Sequence, residues 1–269
     1  SEIHDKDFEE EETDNLRVDI TDETSDIHLK NISFQYEGPQ SPFVLYNIDF
    51  TIPRNKVTAI VGTSGSGKTT LIKLLLSFYH PVSGEILVDD KNLSQISPAC
   101  WRNLCGAVMQ DGFIFSDSIA KNIVVNDEVI DQERLLNAVK MANIQDYIES
   151  LPLSYNTKIG QEGVGLSQGQ KQRILIARAI YKSPEYLFFD EATNALDANN
   201  EKLIMENMEK VSAGKTVVVV AHRLSTVKNA DQIIVIEQGQ VVETGNHEEL
   251  TARKGAYYNL VKNQLELGN

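Results

Sequence analysis

The stretch VTAIVGTSGSGKTT (57–70) decides the fold. Its first part, VTAIVG (57–62), has the length and apolar composition of a buried strand. The part GTSGSGKT (62–69) matches the pattern G-x-x-x-x-G-K-[ST], and the following LIKLLLSFY (71–79) is helical by length and pattern. A strand, a glycine-rich loop and a helix in this order predict a phosphate-binding loop in an α/β protein.

The residue types of this loop fit the phosphates of a nucleotide and a metal ion. Glycines allow backbone N–H groups to curl around a β-phosphate, Lys68 can reach the β- and γ-phosphate oxygens, and the Thr69 hydroxyl can ligate Mg²⁺. A plain glycine-rich turn is the alternative, but the flanking strand and helix favour phosphate binding. The predicted contacts are Gly62, Thr63, Ser64, Gly65, Ser66, Gly67, Lys68, Thr69 and Thr70.

Further apolar runs predict the rest of the sheet. EYLFFD (185–190), TVVVVA (216–221) and QIIVIE (232–237) have strand length, and buried strands alternating with helices indicate a mostly parallel sheet covered on both faces. HLKNISFQY (28–36) and FVLYNIDFTI (43–52) alternate apolar and polar residues, which predicts an antiparallel hairpin. The fold class is therefore α/β, a P-loop core with an antiparallel β subdomain.

The segment LSQGQ (166–170) predicts a second helix start suited to an anion. Ser167 followed three residues later by Gln170 is a capping-box pattern, and residues 167–182 read as a helix. The first turn of such a helix presents free N–H groups and the positive end of the helix dipole. Together with helices expected within 117–150, this helix predicts a helical subdomain over about 112–182.

Two adjacent carboxylates end the predicted strand EYLFFD, namely Asp190 and Glu191. Parallel strands of such a sheet end at the edge that carries the phosphate-binding loop, where ligands bind. Asp190 is therefore expected to support Mg²⁺, and Glu191 is a candidate base for an attacking water. A solvated pair that caps the strand is the alternative.

His222, Gln110 and Tyr36 each allow a functional and a structural interpretation. His222 ends the run TVVVVAH and Gln110 closes the strand-like GAVMQ, so each can be catalytic or structural. Tyr36 precedes the phosphate-binding loop and can be either a sheet aromatic or a ring that stacks on a base.

Read together, these motifs resemble the nucleotide-binding domain of the ATP-binding cassette family. The resemblance covers about residues 26–269, and it is carried in chain order by Tyr36, GTSGSGKT, Gln110, LSQGQ, LFFDEA, NALD (194–197) and His222.

The resemblance implies ATP and Mg²⁺ as cofactors and assigns roles by position. Tyr36 is expected to stack on adenine, and Gln110 to lie near Mg²⁺ and relay to membrane helices. Glu191 is expected to polarise water and His222 to contact the γ-phosphate. Asp197 is expected at the interface between two such domains.

The family signature before the acidic strand is usually LSGGQ, and Gln168 replaces its first glycine here. Because Ser167 and Gly169 remain, we expect the anion site to survive. In this family the signature helix, here beginning with Ser167, Gln168, Gly169 and Gln170, closes over the ATP of the opposite subunit. The resemblance thus implies a two-fold homodimer with two shared ATP sites.

The exporter type is indicated by TKIGQEG (157–163), which resembles the segment through which exporters touch the intracellular loops of the membrane domain. Gln161 and Glu162 stand where Glu-Arg is usual. The run from LSQGQ to DANNE is similar to exporters of bacteriocin-type peptides, including those with a leader peptidase, although no papain-like Cys and His set is present. The resemblance implies peptide export with a transmembrane domain, at the cytoplasmic face of the inner membrane.

The charge of the chain is concentrated at its start. Of a formal charge of −14, residues 1–26 hold twelve acids against Lys6 and Arg17. We therefore expect residues 1–25 to be an acidic, largely disordered linker, and no nucleic-acid partner. No run of about 18 apolar residues occurs, which predicts a soluble isolated chain. Cys100 and Cys105 are expected to be ordinary thiols.

Rival functions fit the sequence less well. A soluble cassette ATPase, not linked to transport, would normally carry two cassettes or a long coiled coil. A P-loop GTPase or kinase would need a guanine-reading Asn-Lys-x-Asp motif or a substrate lid, and the sequence contains no Asn-Lys-x-Asp. A binding module without catalysis remains open, although Lys68, Asp190, Glu191 and His222 are all present.

Overall fold

The structure is a computed structural model that describes residues 25–125, 129–161, 163–190, 207, 214–221 and 227–266. Three predicted functional residues, Glu191, Asp197 and His222, lie outside the described residues, as does the acidic segment 1–24.

The described strands are β1 (Ile27–Phe34), β2 (Leu45–Ile52), β3 (Val57–Val61), β4 (Ser83–Val88), β5 (Lys91–Asn92), β6 (Cys105–Val108), β7 (Asp117–Ser118), β8 (Lys158–Ile159), β9 (Tyr186–Asp190), β10 (Thr216–Val220), β11 (Gln232–Glu237) and β12 (Gln240–Gly245). The described α-helices are α1 (Lys68–Leu75), α2 (Pro98–Leu104), α3 (Ile119–Val124), α4 (Gln132–Met141), α5 (Gln145–Ser150), α6 (Gln168–Tyr181), α7 (His247–Arg253) and α8 (Ala256–Glu266).

The central sheet has six strands in the order β12-β11-β3-β10-β9-β6. Strands β11, β3, β10, β9 and β6 run parallel to their neighbours, and only β12 at one edge is antiparallel to its partner β11. The side chains of β3, β9 and β11 are almost entirely buried, as expected for parallel strands with both faces covered. The predicted α/β class is confirmed.

A second sheet is antiparallel, with the order β2-β1-β4-β5. The predicted hairpin is its first pair, since Ile27 of β1 lies opposite Ile52 and Phe34 lies opposite Leu45. Strand β4 pairs with the other edge of β1 and was not predicted. Its apolar half, Ile86–Val88, is buried, whereas the half from Ser83 is more exposed, so its sequence carries only a weak strand pattern.

Two large hydrophobic clusters support the sheet edge that carries the site. One lies between the antiparallel sheet, α1 and the central sheet, where the Trp101 ring packs 4.9 Å from the Tyr186 ring and its indole N–H donates to the Leu75 carbonyl at 2.7 Å. The other joins α3, α4 and α6 to the opposite face of β6 and β9 through Ile123, Leu135 and other apolar residues. These helices lie within the predicted helical block 112–182, whose boundaries stay a prediction.

Helix α1 is shorter than the sequence predicts. The apolar run to Tyr79 suggests a helix throughout, but α1 ends at Leu75, and Ser77 adopts a left-handed φ of 57°. The Phe78 backbone N–H closes this end by donating to the Lys73 carbonyl at 2.9 Å. No helix in the described part of the chain combines the length and the apolar character needed to cross a membrane.

Candidate nucleotide-binding site

The glycine-rich loop connects the end of β3 at Val61 to the start of α1 at Lys68. Gly67 is the residue before the helix and adopts a left-handed φ of 102°. A Cβ atom at Gly62 would lie 2.1 Å from the Ile236 carbonyl oxygen on the neighbouring strand β11. Glycine is therefore required at Gly62 by packing against β11 and at Gly67 by backbone conformation.

Lys68 is drawn back over this loop. Its side chain is only 5% exposed, and its ammonium group donates to the Gly62 and Thr63 carbonyl oxygens at 3.0 and 2.9 Å. Both acceptors are neutral oxygens, so these two bonds hold the charge in position without neutralising it.

The loop also offers polar groups that fit a phosphate. The Ser66 hydroxyl is buried and has no hydrogen-bond partner among the described residues, and a buried polar group of this kind is costly unless a ligand completes it. Gly65, by contrast, has open space on the side where a Cβ would stand. The loop thus combines an incomplete buried donor, a positioned cation and free access, which fits the phosphates of a nucleotide.

Tyr36 lies beside the phosphate-binding helix. Its hydroxyl is 2.9 Å from the Thr70 hydroxyl, and its ring makes edge contacts with Phe34 at 4.9 Å and Tyr79 at 5.4 Å. The residue is nevertheless 47% exposed. A ring fixed at its edges but open to solvent is suited to stacking on a base, and Tyr79 is a contributor that the sequence did not reveal.

Asp190 ends β9 at the same sheet edge as the loop. It lies opposite Val220 of β10, and Val220 lies opposite Ile60 of β3. One strand therefore separates Asp190 from the loop, which corresponds to about 10 Å between β3 and β9. Asp190 is fully buried, whereas Thr69 in the first turn of α1 is half-buried. Carboxylate and hydroxyl oxygens are ligands that suit Mg²⁺.

Gln110 comes two residues after β6, at the outer side of the same edge. Val108 of β6 lies opposite Phe189, the residue before Asp190, so the chain beyond β6 emerges next to Asp190. Gln110 itself is exposed in a turn. The structure thus brings Gln110 and Asp190 to neighbouring strand ends. The contact of Gln110 with Mg²⁺ stays a prediction.

Two residues that the sequence did not single out hold the loop after Gln110. The buried Asn122 side chain accepts from the Phe115 N–H at 2.8 Å and donates to the Phe115 and Ser118 carbonyls. Arg178 of α6 donates to the Phe113 carbonyl at 2.8 Å and lies over the Phe115 ring. These contacts connect the loop to α6, and no sequence pattern could have revealed such long-range pairing.

The capping box at the start of α6 is present. The Gln170 N–H donates to the Ser167 hydroxyl at 3.2 Å, and the Ser167 N–H donates to the Gln170 side-chain oxygen at 2.9 Å. Ser167 and Gln168 are exposed, and Gly169 and Gln170 are half-buried. Arg173 fixes this turn by donating to the Asn143 carbonyl at 2.8 Å. The helix start is therefore formed and presented to solvent.

Comparison with known proteins agrees with this geometry. A family profile described as ABC transporter matches residues 45–194, more than half of the chain. The chain belongs to the ABC transporter family. As members of this family do, this ABC domain binds ATP with Mg²⁺ and hydrolyses ATP, which confirms the predicted cofactors and the predicted ATPase activity.

Similar proteins include translocation ATP-binding proteins and an ABC exporter of known structure. The leukotoxin translocation ATP-binding protein LktB of Mannheimia haemolytica is 45% identical over 251 residues, as is the protein of that name from Bibersteinia trehalosi. The match covers 93% of this chain and 35% of each relative, so the chain spans about a third of their length. A bacterial Atm1-family ABC exporter with ATP bound has a similar structure, with a TM-score of 0.86 and 36% identity, over 90% of this chain and 42% of that one.

Proposed function

We propose that this ABC domain powers the export of a polypeptide across a membrane, as part of an exporter that also has a transmembrane domain. The domain would work at the cytoplasmic face of the inner membrane. The export proposal is supported by the similarity to LktB over 93% of the chain, because the name of LktB assigns LktB to leukotoxin translocation. A soluble cassette ATPase without a transport role is the alternative.

The observation that carries the mechanism is the exposed, fully capped start of α6. The phosphate-binding loop already has its own helix start, α1, together with Lys68. Ser167 offers a second helix N-terminus whose first turn is open to solvent, in a helix of 14 residues. A single nucleotide needs one such loop beneath it, so the second helix start is suited to the γ-phosphate of an ATP held by another copy.

This arrangement implies a two-fold dimer with two ATP molecules at its interface. In an isologous contact each copy supplies the same patch to its partner, so the loop of one chain faces the Ser167 turn of the other in both sites. Asp197, outside the described residues, is proposed to lie at this interface. ATP would join the two copies, and ADP, which lacks the γ-phosphate, would not.

Each site residue has a proposed task within one chain. Tyr36 stacks on adenine, Lys68 carries positive charge to the β- and γ-phosphates, and Thr69 and Asp190 hold Mg²⁺ with Gln110 nearby. Bound Mg²⁺ would neutralise phosphate charge during transfer. Positioned charge of this kind contributes most of the catalysis in phosphoryl transfer.

The remaining tasks fall to residues outside the described part of the chain. Glu191 follows Asp190 directly and is proposed as the base that takes a proton from the attacking water. His222 follows Ala221, whose N–H donates to the Ile60 carbonyl at 3.2 Å as the continuation of β10. His222 therefore follows the strand that runs between the loop and Asp190, and is proposed to contact the γ-phosphate.

We also propose a layout for the chain, with a linker over residues 1–25 and the ABC domain over 26–269. The linker would join the domain to the transmembrane part of the exporter.

The export function is tested with the full-length exporter in sealed vesicles. ATP should drive uptake of a labelled polypeptide substrate into inside-out vesicles, and Lys68→Ala should stop uptake while leaving the amount of protein in the vesicles unchanged. ATP hydrolysis that continues without uptake of any polypeptide tested, and without stimulation by one, would favour the soluble-type alternative.

A further inference from the structure

The ring of Tyr36 stands at a place where the backbone alone does not fix it. Strand β1 ends at Phe34, and Tyr36 follows two residues later, in a bend that leads into the exposed residues 37–40. An exposed side chain of this kind samples several rotamers, and its ordering on binding lowers the affinity for a ligand. A ring that is held in place before the ligand arrives avoids this loss.

Three side chains hold the Tyr36 ring. Phe34 and Tyr79 lie nearly perpendicular to it, with ring centroids at 4.9 and 5.4 Å, and the Tyr36 hydroxyl is 2.9 Å from the Thr70 hydroxyl. Phe34 and Tyr79 also contact each other, with their centroids 5.6 Å apart. Tyr36 is therefore one member of a cluster of three rings in which every pair is in contact.

Tyr79 reaches this cluster through the path of the chain after α1. The helix ends at Leu75, and the chain then crosses to β1, where the Val82 N–H donates to the Ser33 carbonyl at 2.9 Å. Tyr79 lies along this crossing, beside the end of β1. The aromatic side chain that extends the apolar run of α1 in the sequence thus packs against the ring cluster and not in the helix.

Two of the three contacts of Tyr36 come from the helix that begins at the phosphate-binding loop and from the turn that follows it. Thr70 is the third residue of α1, two residues after Lys68, and Tyr79 follows the last residue of α1 by four positions. These contacts fix the Tyr36 ring relative to α1. A base stacked on Tyr36 is thereby held at a set position relative to phosphates on the loop.

The role of Tyr79 differs from that of a core residue. Its side chain is 42% exposed, whereas Phe34 is buried and belongs to the core beneath the cluster. Loss of the Tyr79 ring removes one of two perpendicular ring contacts from Tyr36 and leaves Phe34 and the Thr70 hydroxyl in place. We therefore expect a looser Tyr36 ring and an intact α1.

We propose that Tyr79 is a positioning residue for the nucleobase, which holds the Tyr36 ring ready to stack on adenine and does not contact the base itself. This inference rests on the proposed stacking of Tyr36 on adenine. The contact with the base is the same before and during phosphoryl transfer, so it contributes uniformly to binding. Tyr79 thus acts on the KM for ATP and not on kcat.

Calorimetric titration of the complete chain with two magnesium complexes tests this proposal. ATP carries a base, whereas inorganic tripolyphosphate carries phosphates alone. Tyr79→Ala should weaken ATP binding by about 2- to 12-fold, the scale of one lost aromatic pair, and leave tripolyphosphate binding unchanged. Tyr36→Ala should weaken ATP binding by about 5- to 150-fold, the scale of one lost base–aromatic stack, again without an effect on tripolyphosphate. In steady-state hydrolysis, Tyr79→Ala should raise KM by the same factor at constant kcat.

Three further variants serve as controls. Tyr79→Phe keeps the ring and should bind ATP as the unchanged chain does, whereas Tyr79→Leu keeps apolar bulk without a ring and should behave like Tyr79→Ala. Phe78→Ala is the matched control, because Phe78 lies in the same turn and is 49% exposed, but its side chain lines a cleft with Arg102 and Ile123. Phe78→Ala should leave ATP binding unchanged.

A double-mutant cycle separates the holding of Tyr36 from direct contact with the base. In the Tyr36→Ala chain no ring remains to be held, so the addition of Tyr79→Ala should cause no further loss of ATP binding. Additive losses would overturn the proposal, because they would mean that Tyr79 itself touches the base. Equal weakening of ATP and tripolyphosphate by Tyr79→Ala would also overturn it, since Tyr79 would then support the whole loop.

The same titrations distinguish this inference from the proposed task of Tyr36. If Tyr36→Ala weakens ATP binding selectively and Tyr79→Ala does not, the positioning role is wrong and the stacking role of Tyr36 stands. If neither variant changes ATP binding, Tyr36 does not stack on adenine, and both proposals are wrong.

Discussion

The two phosphate-seeking helix starts of this ABC domain differ in how they are built. The loop before α1 is held by distant parts of the chain. Gly62 packs against the Ile236 carbonyl, and Gly67 packs so closely against the Leu45 side chain that an added Cβ atom would lie 2.6 Å from it. The start of α6 is held mostly by its own residues, through the reciprocal bonds of Ser167 and Gln170.

This difference separates ATP binding by one chain from closure of the site by a second copy. A loop enclosed by β3, β11 and β2 has a fixed shape in one chain, so it can hold phosphates before any partner arrives. The capped turn at the start of α6 is also shaped within one chain, and it is exposed to solvent. We infer that ATP binding belongs to the first region alone and that hydrolysis requires both. Four substitution experiments test this division.

Lys68→Ala should have the largest effect, a loss of turnover to background and weaker ATP binding. The variant removes the cation that Gly62 and Thr63 hold over the loop. Steady-state phosphate release and nucleotide titration measure the two effects. The control is Lys121→Ala, which removes an exposed lysine paired at 3.9 Å with Asp117 and should leave both values unchanged. Turnover that survives Lys68→Ala would remove the loop from the mechanism.

Glu191→Gln should keep ATP binding and lower turnover by about 10²–10⁴-fold, the usual contribution of a general base. The amide keeps the shape of the side chain and loses its basicity. Single-turnover hydrolysis at saturating Mg-ATP is the measurement. A decrease smaller than about threefold, far below that range, would make Glu191 a bystander and His222 the better candidate.

Ser167→Asp compared with Ser167→Asn separates the capping role of Ser167 from its proposed ligand role. Both replacements are good N-caps, so α6 and the free energy of unfolding should change little in either. The Asp variant places a negative charge where a phosphate is proposed to dock. Repulsion between this carboxylate and the phosphate, on the scale of up to ~2 kcal/mol known for charges at helix ends, should lower turnover by up to about 30-fold. Equal turnover of the two variants would argue that no anion approaches Ser167.

Gly62→Ala compared with Gly65→Ala tests how rigidly the loop is held. A Cβ at Gly62 meets the Ile236 carbonyl oxygen at 2.1 Å, whereas Gly65 has open space and only a left-handed φ of 76°. Denaturant unfolding should show a loss on the order of 3 kcal/mol for Gly62→Ala and about 1–2 kcal/mol for Gly65→Ala. Similar losses would mean that β11 yields and that the loop is less fixed than its contacts imply.

The smallest effect is expected from the acidic segment. Its composition predicts disorder in the isolated chain, so its amides should exchange without measurable protection, and removal of residues 1–24 should leave the free energy of unfolding nearly unchanged. Hydrogen exchange read by mass spectrometry, with the β3 and β9 strands as the protected reference, makes the comparison. Slow exchange within 1–24 would contradict the prediction.

The central sheet and the phosphate-binding loop were predictable because their signals are local. The run VTAIV, the pattern GTSGSGKT and the Ser167 capping box each specify an element within a few residues, and each of these elements is present. The end of α1 was predicted four residues too late, because the apolar residues up to Tyr79 serve packing in a turn and not in a helix.

The parts that the sequence did not reveal depend on long-range partners. Strand β4 pairs with β1 across 50 to 61 residues of sequence, from Ser33 opposite Ser83 to Ile27 opposite Val88, and β12 completes the far edge of the central sheet. Within the site, the hydroxyl contact of Tyr36 with Thr70 and the bonds of Arg178 to the Phe113 loop join segments that no short pattern connects. The order of the strands, which places β10 between β3 and β9, could likewise not be read from hydrophobicity alone.

The central claim, that Ser167 completes the ATP site of a second copy, is tested most directly by the mass of the Glu191→Gln chain in solution with Mg-ATP. Light scattering after size separation should give a dimer with ATP and mainly a monomer with ADP. Adding Ser167→Arg should return the ATP-loaded protein to a monomer that still holds one ATP per chain. A dimer that persists in the double variant, or a double variant that has lost its ATP, would contradict the claim.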